Sequence, residues 1–195
     1  MKTRKTIIRL VNVKKYGFVT EPRYYFFGWS KFSKVLVRKS VLTRLIKARK
    51  FLPKCYNFKI WDGQRSRAVQ LKMIDSFRRR FHSQYPKLSL KKIEELVYQF
   101  AAKPLIKVER MDTHRNGGSV DLTIVNAKGE ELFMGTDHDD LTEKAATDYY
   151  ENKKKKKLNA AEKEARKNRR LLKRIMIKVG FINYQREWWH WSYDK

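Results

Sequence analysis

The sequence is short of the residues that staple small folds and of several that carry catalysis. Its single cysteine, Cys55, excludes an intramolecular disulfide and any cysteine-rich metal ribbon. The neighbours Tyr56 and Phe58 suggest that this thiol is an ordinary buried one. Only four histidines occur, His82, His114, His138 and His190, so a catalytic or metal-binding histidine has few candidates. No apolar run approaches the length of a membrane span. The basic segment Met1–Arg9 leads into an apolar stretch that Asn12, Lys14 and Lys15 interrupt before it reaches signal-peptide length. No export signal is therefore expected, and the cytoplasmic compartment is.

Acidic residues are also scarce. The chain carries 20 Asp and Glu against 47 Lys and Arg, a net charge of +27. Such a surface attracts polyanions without specificity, whether nucleic acid, anionic membrane or cell-wall polymer, and says little about fold or chemistry. What is present is enough for a core: 42% of the 195 residues are hydrophobic and 13% aromatic. One domain over residues 1–195 is expected, with 1–21 as an N-terminal extension and 151–168 as a charged loop entering a helix.

Residues 1–39 mix basic and aromatic side chains, with Tyr24, Tyr25, Phe26, Phe27 and Trp29 crowded around Gly28, and read as short strands and loops rather than helix. A helix is predicted over 40–51, capped by Ser40, with Val41, Leu42, Leu45, Ile46 and Ala48 as its apolar stripe and Pro53 beyond its end. Asn57–Trp61 reads as a buried strand. After the Asp62-Gly63 turn, Ala68, Val69, Met73, Ile74, Phe77 and Phe81 recur at helical spacing. A further helix is predicted over 89–101 with Ser89 as cap.

From Gly117 the period becomes two. Val120, Leu122 and Ile124 form an apolar face, while Ser119, Asp121 and Thr123 form a polar one. Asn126–Gly129 reads as a hairpin turn returning through Glu131–Met134 as a second strand. Leu171, Leu172, Ile175, Met176 and Val179 give a helical face with Gly180 as its C-terminal cap, and Phe181–Tyr193 is strand-like and aromatic. The sum is an α+β fold: a central, mainly antiparallel sheet carrying a site on its polar face, with helices packed behind it.

His114 stands just ahead of the Gly117-Gly118 pair, and Asp121 on the polar face of the strand that follows. The glycines permit a tight reversal, so two ligands seven positions apart can converge on one ion. Near the C-terminus, Glu187 and His190 would face opposite sides of a regular strand, so sharing a site requires a bulge or turn between them. Two histidines and a carboxylate with an open fourth position are the ligands of a catalytic zinc, and a second, non-ligating carboxylate can take a proton from its water. Read alone, these letters fit a surface histidine and an aromatic core strand equally well. Arg65 and Arg67 read as surface arginines, and Asp137, Asp139 and Asp140 as a solvated turn.

Four blocks taken in order resolve the ambiguity: Trp61-Asp62-Gly63-Gln64-Arg65, His114 to Asp121, Met134-Gly135-Thr136-Asp137-His138-Asp139, and Glu187-Trp188-Trp189-His190. With Asn168-Arg169-Arg170-Leu171-Leu172, they make residues 22–193 resemble the vancomycin-resistance type D-alanyl-D-alanine dipeptidases, a group of zinc peptidases. The resemblance implies one Zn2+ per chain on His114, Asp121 and His190. It implies Glu187 as general base, Arg65 as oxyanion stabiliser and Asp139 as acceptor of the substrate's free amino group, the substrate being a small D-dipeptide. The chain departs from the family at Asp112, where a serine usually contacts substrate and where a carboxylate would repel a C-terminal carboxylate. It departs again at Gln64 and Ser66, which replace a usual Tyr and Pro, and at His138, where an aromatic is common. Two other readings are carried forward: a D,D- or L,D-carboxypeptidase acting on cell-wall peptides, and a basic nucleic-acid-binding protein without catalysis.

Overall fold

A computed structural model describes residues 9–104, 113–151 and 158–193. A five-stranded sheet organises them. Its strands are β2 (Val19–Thr20), β4 (Asn57–Asp62), β5 (Ser119–Val125), β6 (Ile182–Asn183) and β7 (His190–Ser192), arranged β2-β4-β5-β7-β6. β2 runs parallel to β4 and every other pairing is antiparallel. A separate antiparallel pair joins β1 (Leu10–Asn12) to β3 (Leu36–Arg38). Within residues 1–21, Leu10–Asn12 and Val19–Thr20 are therefore strands of these sheets. The helices are α1 (Arg23–Phe26), α2 (Lys39–Arg49), α3 (Arg67–Gln84), α4 (Leu90–Phe100) and α5 (Ala160–Lys178). The architecture is α+β, as the sequence leads one to expect.

The alternation of β5 sets the layers. Val120, Leu122 and Ile124 are fully buried with Phe58 and Ile60 of β4, against Val41, Leu42 and Leu45 of α2 and Leu172, Ile175 and Met176 of α5. A second cluster joins Tyr24 to Val69, Met73, Ile74, Phe77 and Phe81 of α3 and to Ile93 and Val97 of α4. All seven residues of β5 are buried, including the polar Ser119, Asp121 and Thr123. Three of the helices carry side-chain N-caps: Ser66 accepts from Val69, Ser89 from Lys92, and Asn159 forms a capping box with Glu162.

Several local expectations are corrected. The segment before residue 39 holds one helical turn, α1, started by Pro22 and closed by Phe27 N donating to Arg23 O at 2.8 Å, besides a 3-10 turn at Val13–Tyr16. Ser40 is not the cap of α2, because the helix already begins at Lys39 and Arg38 occupies the cap position without a side-chain bond. Cys55 is exposed rather than buried: it sits at φ 66° in the turn between α2 and β4. The return strand at 131–134 shrinks to a single bridge between Val125 and Glu131. Side chains of α5 claim the carbonyls it would have paired, Asn168 Nδ2 donating to Phe133 O at 2.9 Å and Arg169 Nε to Met134 O at 2.7 Å. The lysine run Lys153–Lys157 lies outside the described residues.

Arg169 has a structural task. Its guanidinium is buried, donating to the carbonyls of Met134 at 2.7 Å, Ala146 at 2.7 Å and Lys144 at 2.9 Å, and packs over Tyr150 and Trp188. It thereby pins both ends of the loop that carries His138 and Asp139. Arg169→Met keeps much of the packing but leaves three acceptors without their donor, and is expected to cost about 3 kcal/mol or more in urea denaturation. An unchanged midpoint and slope would contradict this role.

Candidate metal centre

The register of the sheet assembles the first half of the site. Asp121 of β5 is paired with Asp62 of β4 on one side and with His190 of β7 on the other, so the three side chains share one face. Asp62 reaches that position through an irregularity. The register shifts between Ile60 and Asp62, so that Ile60 opposes Leu122 while Asp62, not Trp61, opposes Asp121.

Turns supply the rest. Thr113 to Gly118 forms a reversal closed by Gly117 N donating to His114 O at 3.0 Å and Gly118 N to Thr113 O at 2.7 Å, with Gly117 at φ 74°. This brings His114 over the strand it precedes, as the glycine pair leads one to expect. The turn needed between Glu187 and His190 is also present, with Glu187 N donating to Tyr184 O at 2.9 Å and His190 N to Glu187 O at 3.3 Å. Asn183 Nδ2 spans the same turn, donating to Glu187 O at 3.1 Å and His190 O at 3.0 Å.

Three ligand atoms then converge. His114 Nε2 and His190 Nδ1 are 3.0 Å apart, and Asp121 Oδ1 lies 3.3 Å from the first and 3.1 Å from the second. Tetrahedral ligands held on one ion at zinc-like distances stand about 3.3 Å apart, close to this spacing. The outer nitrogens are already committed. His114 Nδ1 is 2.7 Å from Gly63 O, a carbonyl that can only accept, so the proton is on Nδ1. His190 Nε2 is 3.1 Å from Ser192 Oγ, which also lies 2.6 Å from Ser119 Oγ and 3.4 Å from Thr113 Oγ1. The inward nitrogens, Nε2 of His114 and Nδ1 of His190, are thus turned toward a carboxylate oxygen that is buried without a hydrogen-bond partner among the described residues. A cation fits this gap, and the donor set is one that holds a metal ion.

Electrostatics agree. Burial alone would lower the pKa of His114, but the adjacent Asp121 carboxylate outweighs it and pushes it up to about 10. Without a metal, a proton on this ring answers the same demand for positive charge. Burial works to raise Asp121, yet the charge on His114 and the close approach of the three histidine rings hold it well below the usual carboxylate range. His190 is lowered, burial being the main cause. Burial, reinforced by the charges of Asp121 and Asp139, drives Glu187 in the opposite direction, well above the usual range. Glu187 Oε2 is 3.8 Å from His190 Nδ1, beside the ligand cluster rather than in it.

Arg65 is no surface arginine. It is 8% exposed, its Nε 2.8 Å from Asp62 Oδ2, its Nη2 3.0 Å from Asp121 Oδ2, and its guanidinium 4.7 Å from the Tyr24 ring centre. Asp139 is no solvated turn residue either. It adopts φ 59°, unusual outside glycine, and its Oδ2 accepts from Tyr24 OH at 3.1 Å. A cleft of about 450 Å³ opens over the group, with Arg65, Tyr98, Ala101, Asp139, Glu187 and His190 in its lining. Asp112 lies outside the described residues.

The comparisons with known proteins bear on this arrangement directly. A family model described as D-ala-D-ala dipeptidase matches residues 28–195. The chain belongs to the D-Ala-D-Ala dipeptidase family of peptidases. A D-alanyl-D-alanine dipeptidase of Synechocystis is 28% identical over 176 residues, covering 82% of this chain and 70% of that protein. One of Enterococcus faecalis is 29% identical over 140 residues, covering 70% of this chain and 62% of that protein. Neither description favours a nucleic-acid-binding role. No helix among the described residues is long and apolar enough to cross a membrane.

The structure also brings in residues that the sequence did not single out for this family's site. Asp62 accepts from Arg65 and stands 3.2 Å from His114 Nδ1, while Ser192 and the Gly63 carbonyl orient the two histidines. Ser192 was legible in principle, since it lies two residues beyond His190 on the same strand face. Gly63 was not, because its role is exercised by the backbone. A Cβ at this position would meet Leu36 O at 2.3 Å and Val37 Cγ1 at 3.0 Å. Gly63→Ala is therefore expected to destabilise the protein by about 1–3 kcal/mol through overpacking. Chemical denaturation checks this, and a variant as stable as the parent would contradict the close approach.

Proposed function

We propose that the protein is a zinc-dependent dipeptidase that hydrolyses the amide bond of D-alanyl-D-alanine or a similar small D-dipeptide. The observation carrying this reading is the convergence of His114 Nε2, Asp121 Oδ1 and His190 Nδ1 at 3.0–3.3 Å, with both outer histidine nitrogens already engaged. These three residues hold one Zn2+ per chain. When bound, zinc lowers the pKa of its water to about 7 and polarises the scissile carbonyl.

The remaining steps belong to the protein. Glu187, against the cluster but outside it, accepts a proton from the attacking water and returns it to the departing amine. Its turn fixes where that proton is held. Arg65 lines the cleft with a guanidinium held in place by Asp62 and Asp121, and faces the negative charge that develops on the carbonyl oxygen. Such a donor is worth roughly 10²–10³ in rate by analogy with an oxyanion-hole group. Asp139, held by Tyr24, receives the substrate's free ammonium and sets the distance from amino end to scissile bond. Asp112, at the place where the family's substrate contact is expected, tunes which C-terminal group is accepted.

The test is hydrolysis of D-Ala-D-Ala by the purified protein, with L-Ala-L-Ala as control and with a chelator added to half the samples. Chelator-sensitive cleavage of the D-dipeptide alone is expected. Cleavage confined to longer cell-wall peptides would favour the carboxypeptidase reading, and salt-sensitive nucleic-acid binding with no metal requirement would favour the third. Glu187→Gln should lower kcat by about 10²–10⁴ while keeping stoichiometric zinc. His114→Ala should lose the zinc itself. An active Glu187→Gln variant, or a His114→Ala variant with full zinc content, would contradict the assigned roles.

A further inference from the structure

His138 is the one described histidine at the site that the proposed mechanism does not use. It is 5% exposed, and its ring packs against Trp61 at 5.0 Å, Trp189 at 5.4 Å and Tyr24 at 6.1 Å between ring centres. An apolar aromatic would fill that space without the cost of taking two ring nitrogens out of water. The polar ring therefore needs a polar reason, and one lies next to it. His138 Nε2 is 3.4 Å from Asp121 Oδ2, the oxygen that Arg65 Nη2 also approaches at 3.0 Å. The other nitrogen, Nδ1, has no hydrogen bond among the described residues and stands 3.5 Å from Asp139 Oδ2.

We propose that His138 is a positioning residue which, together with Arg65, holds Oδ2 of Asp121 so that the carboxylate offers only Oδ1 to the metal. The inference rests on the metal-centre reading given above. A carboxylate free to rotate or to bind through both oxygens would shift the ion relative to Glu187. Two donors on Oδ2 remove that freedom and leave Oδ1 aimed at the two ligating nitrogens, as observed. Arg65 approaches from β4 and the start of α3, whereas His138 arrives on the loop pinned by Arg169, so the two supports are independent elements of the fold. The same loop places Asp139 beside the cleft. His138 thereby joins the position of the metal-binding carboxylate to that of the carboxylate proposed to receive the substrate's amino group.

Zinc affinity measured by competition with a chromophoric chelator tests this for the parent, His138→Phe and His138→Gln. The Phe variant fills the aromatic pocket but has no N–H, and should bind zinc about 10–100-fold more weakly, the usual effect of losing an outer partner of a metal ligand. The Gln variant keeps an N–H donor and should stay close to the parent. Histidine nitrogen NMR of the zinc-loaded parent provides a check that no variant need fold for: Nε2 of His138 should carry a proton. Parental affinity in a folded Phe variant, equal weakening in both variants, or an unprotonated Nε2 would overturn the proposal. Failure of the parent itself to bind zinc would instead take down the metal-centre reading, and this inference with it.

Discussion

A carboxylate taken out of water inside a sheet costs several kcal/mol unless positive groups meet it, and Asp121 lies 1% exposed in the middle of β5. Its surroundings are organised around that cost. Arg65 and His138 occupy Oδ2, while His114 Nε2 and His190 Nδ1 stand at Oδ1. One oxygen is satisfied by fixed donors and the other is left for a cation. The same burial that makes the charge expensive would strengthen the attraction of a cation placed there, because little water competes for it.

Local structure follows from the need to bring distant residues to this one oxygen. The irregularity in β4 turns Asp62 toward Asp121, and Asp62 in turn holds Arg65 and faces His114. Without the register shift, the bulky Trp61 would stand opposite Asp121. The glycine reversal at 117–118 folds His114 back over β5, and the Tyr184–His190 turn sets Glu187 beside the cluster without making it a fourth ligand. On the far side, α2 and α5 pack against Val120, Leu122 and Ile124, so β5 is held by apolar burial on one face and by charge pairing on the other. Arg169 completes the frame by tying the 134–146 loop to α5.

The long helices and the central strand were legible in the sequence because their signals are periodic: every 3.6 residues in α3 and α5, every two in β5. The convergence of His114, Asp121 and His190 was legible from the glycine pair and the order of the four blocks. Short or one-turn elements were not, as α1 shows, since four residues give no period to read. The strand expected at 131–134 failed for a different reason. Its carbonyls are taken by Asn168 and Arg169, which lie more than thirty positions away in the chain. Side-chain competition of that kind, like the Gly63 carbonyl's hold on His114, leaves no local trace. The buried setting of Arg65 was equally hidden, because in a chain with 47 basic residues one more arginine carries no signal of its own.

The metal-centre reading stands or falls on the buried Asp121 carboxylate and the two histidines beside it. A crystal of the zinc-loaded protein, with diffraction data collected on both sides of the zinc absorption edge, tests it most directly. One anomalous peak per chain is expected, within about 2.0–2.2 Å of His114 Nε2, Asp121 Oδ1 and His190 Nδ1. A stoichiometric zinc bound elsewhere, or an ion coordinated through Asp121 Oδ2 with Arg65 displaced, would contradict it.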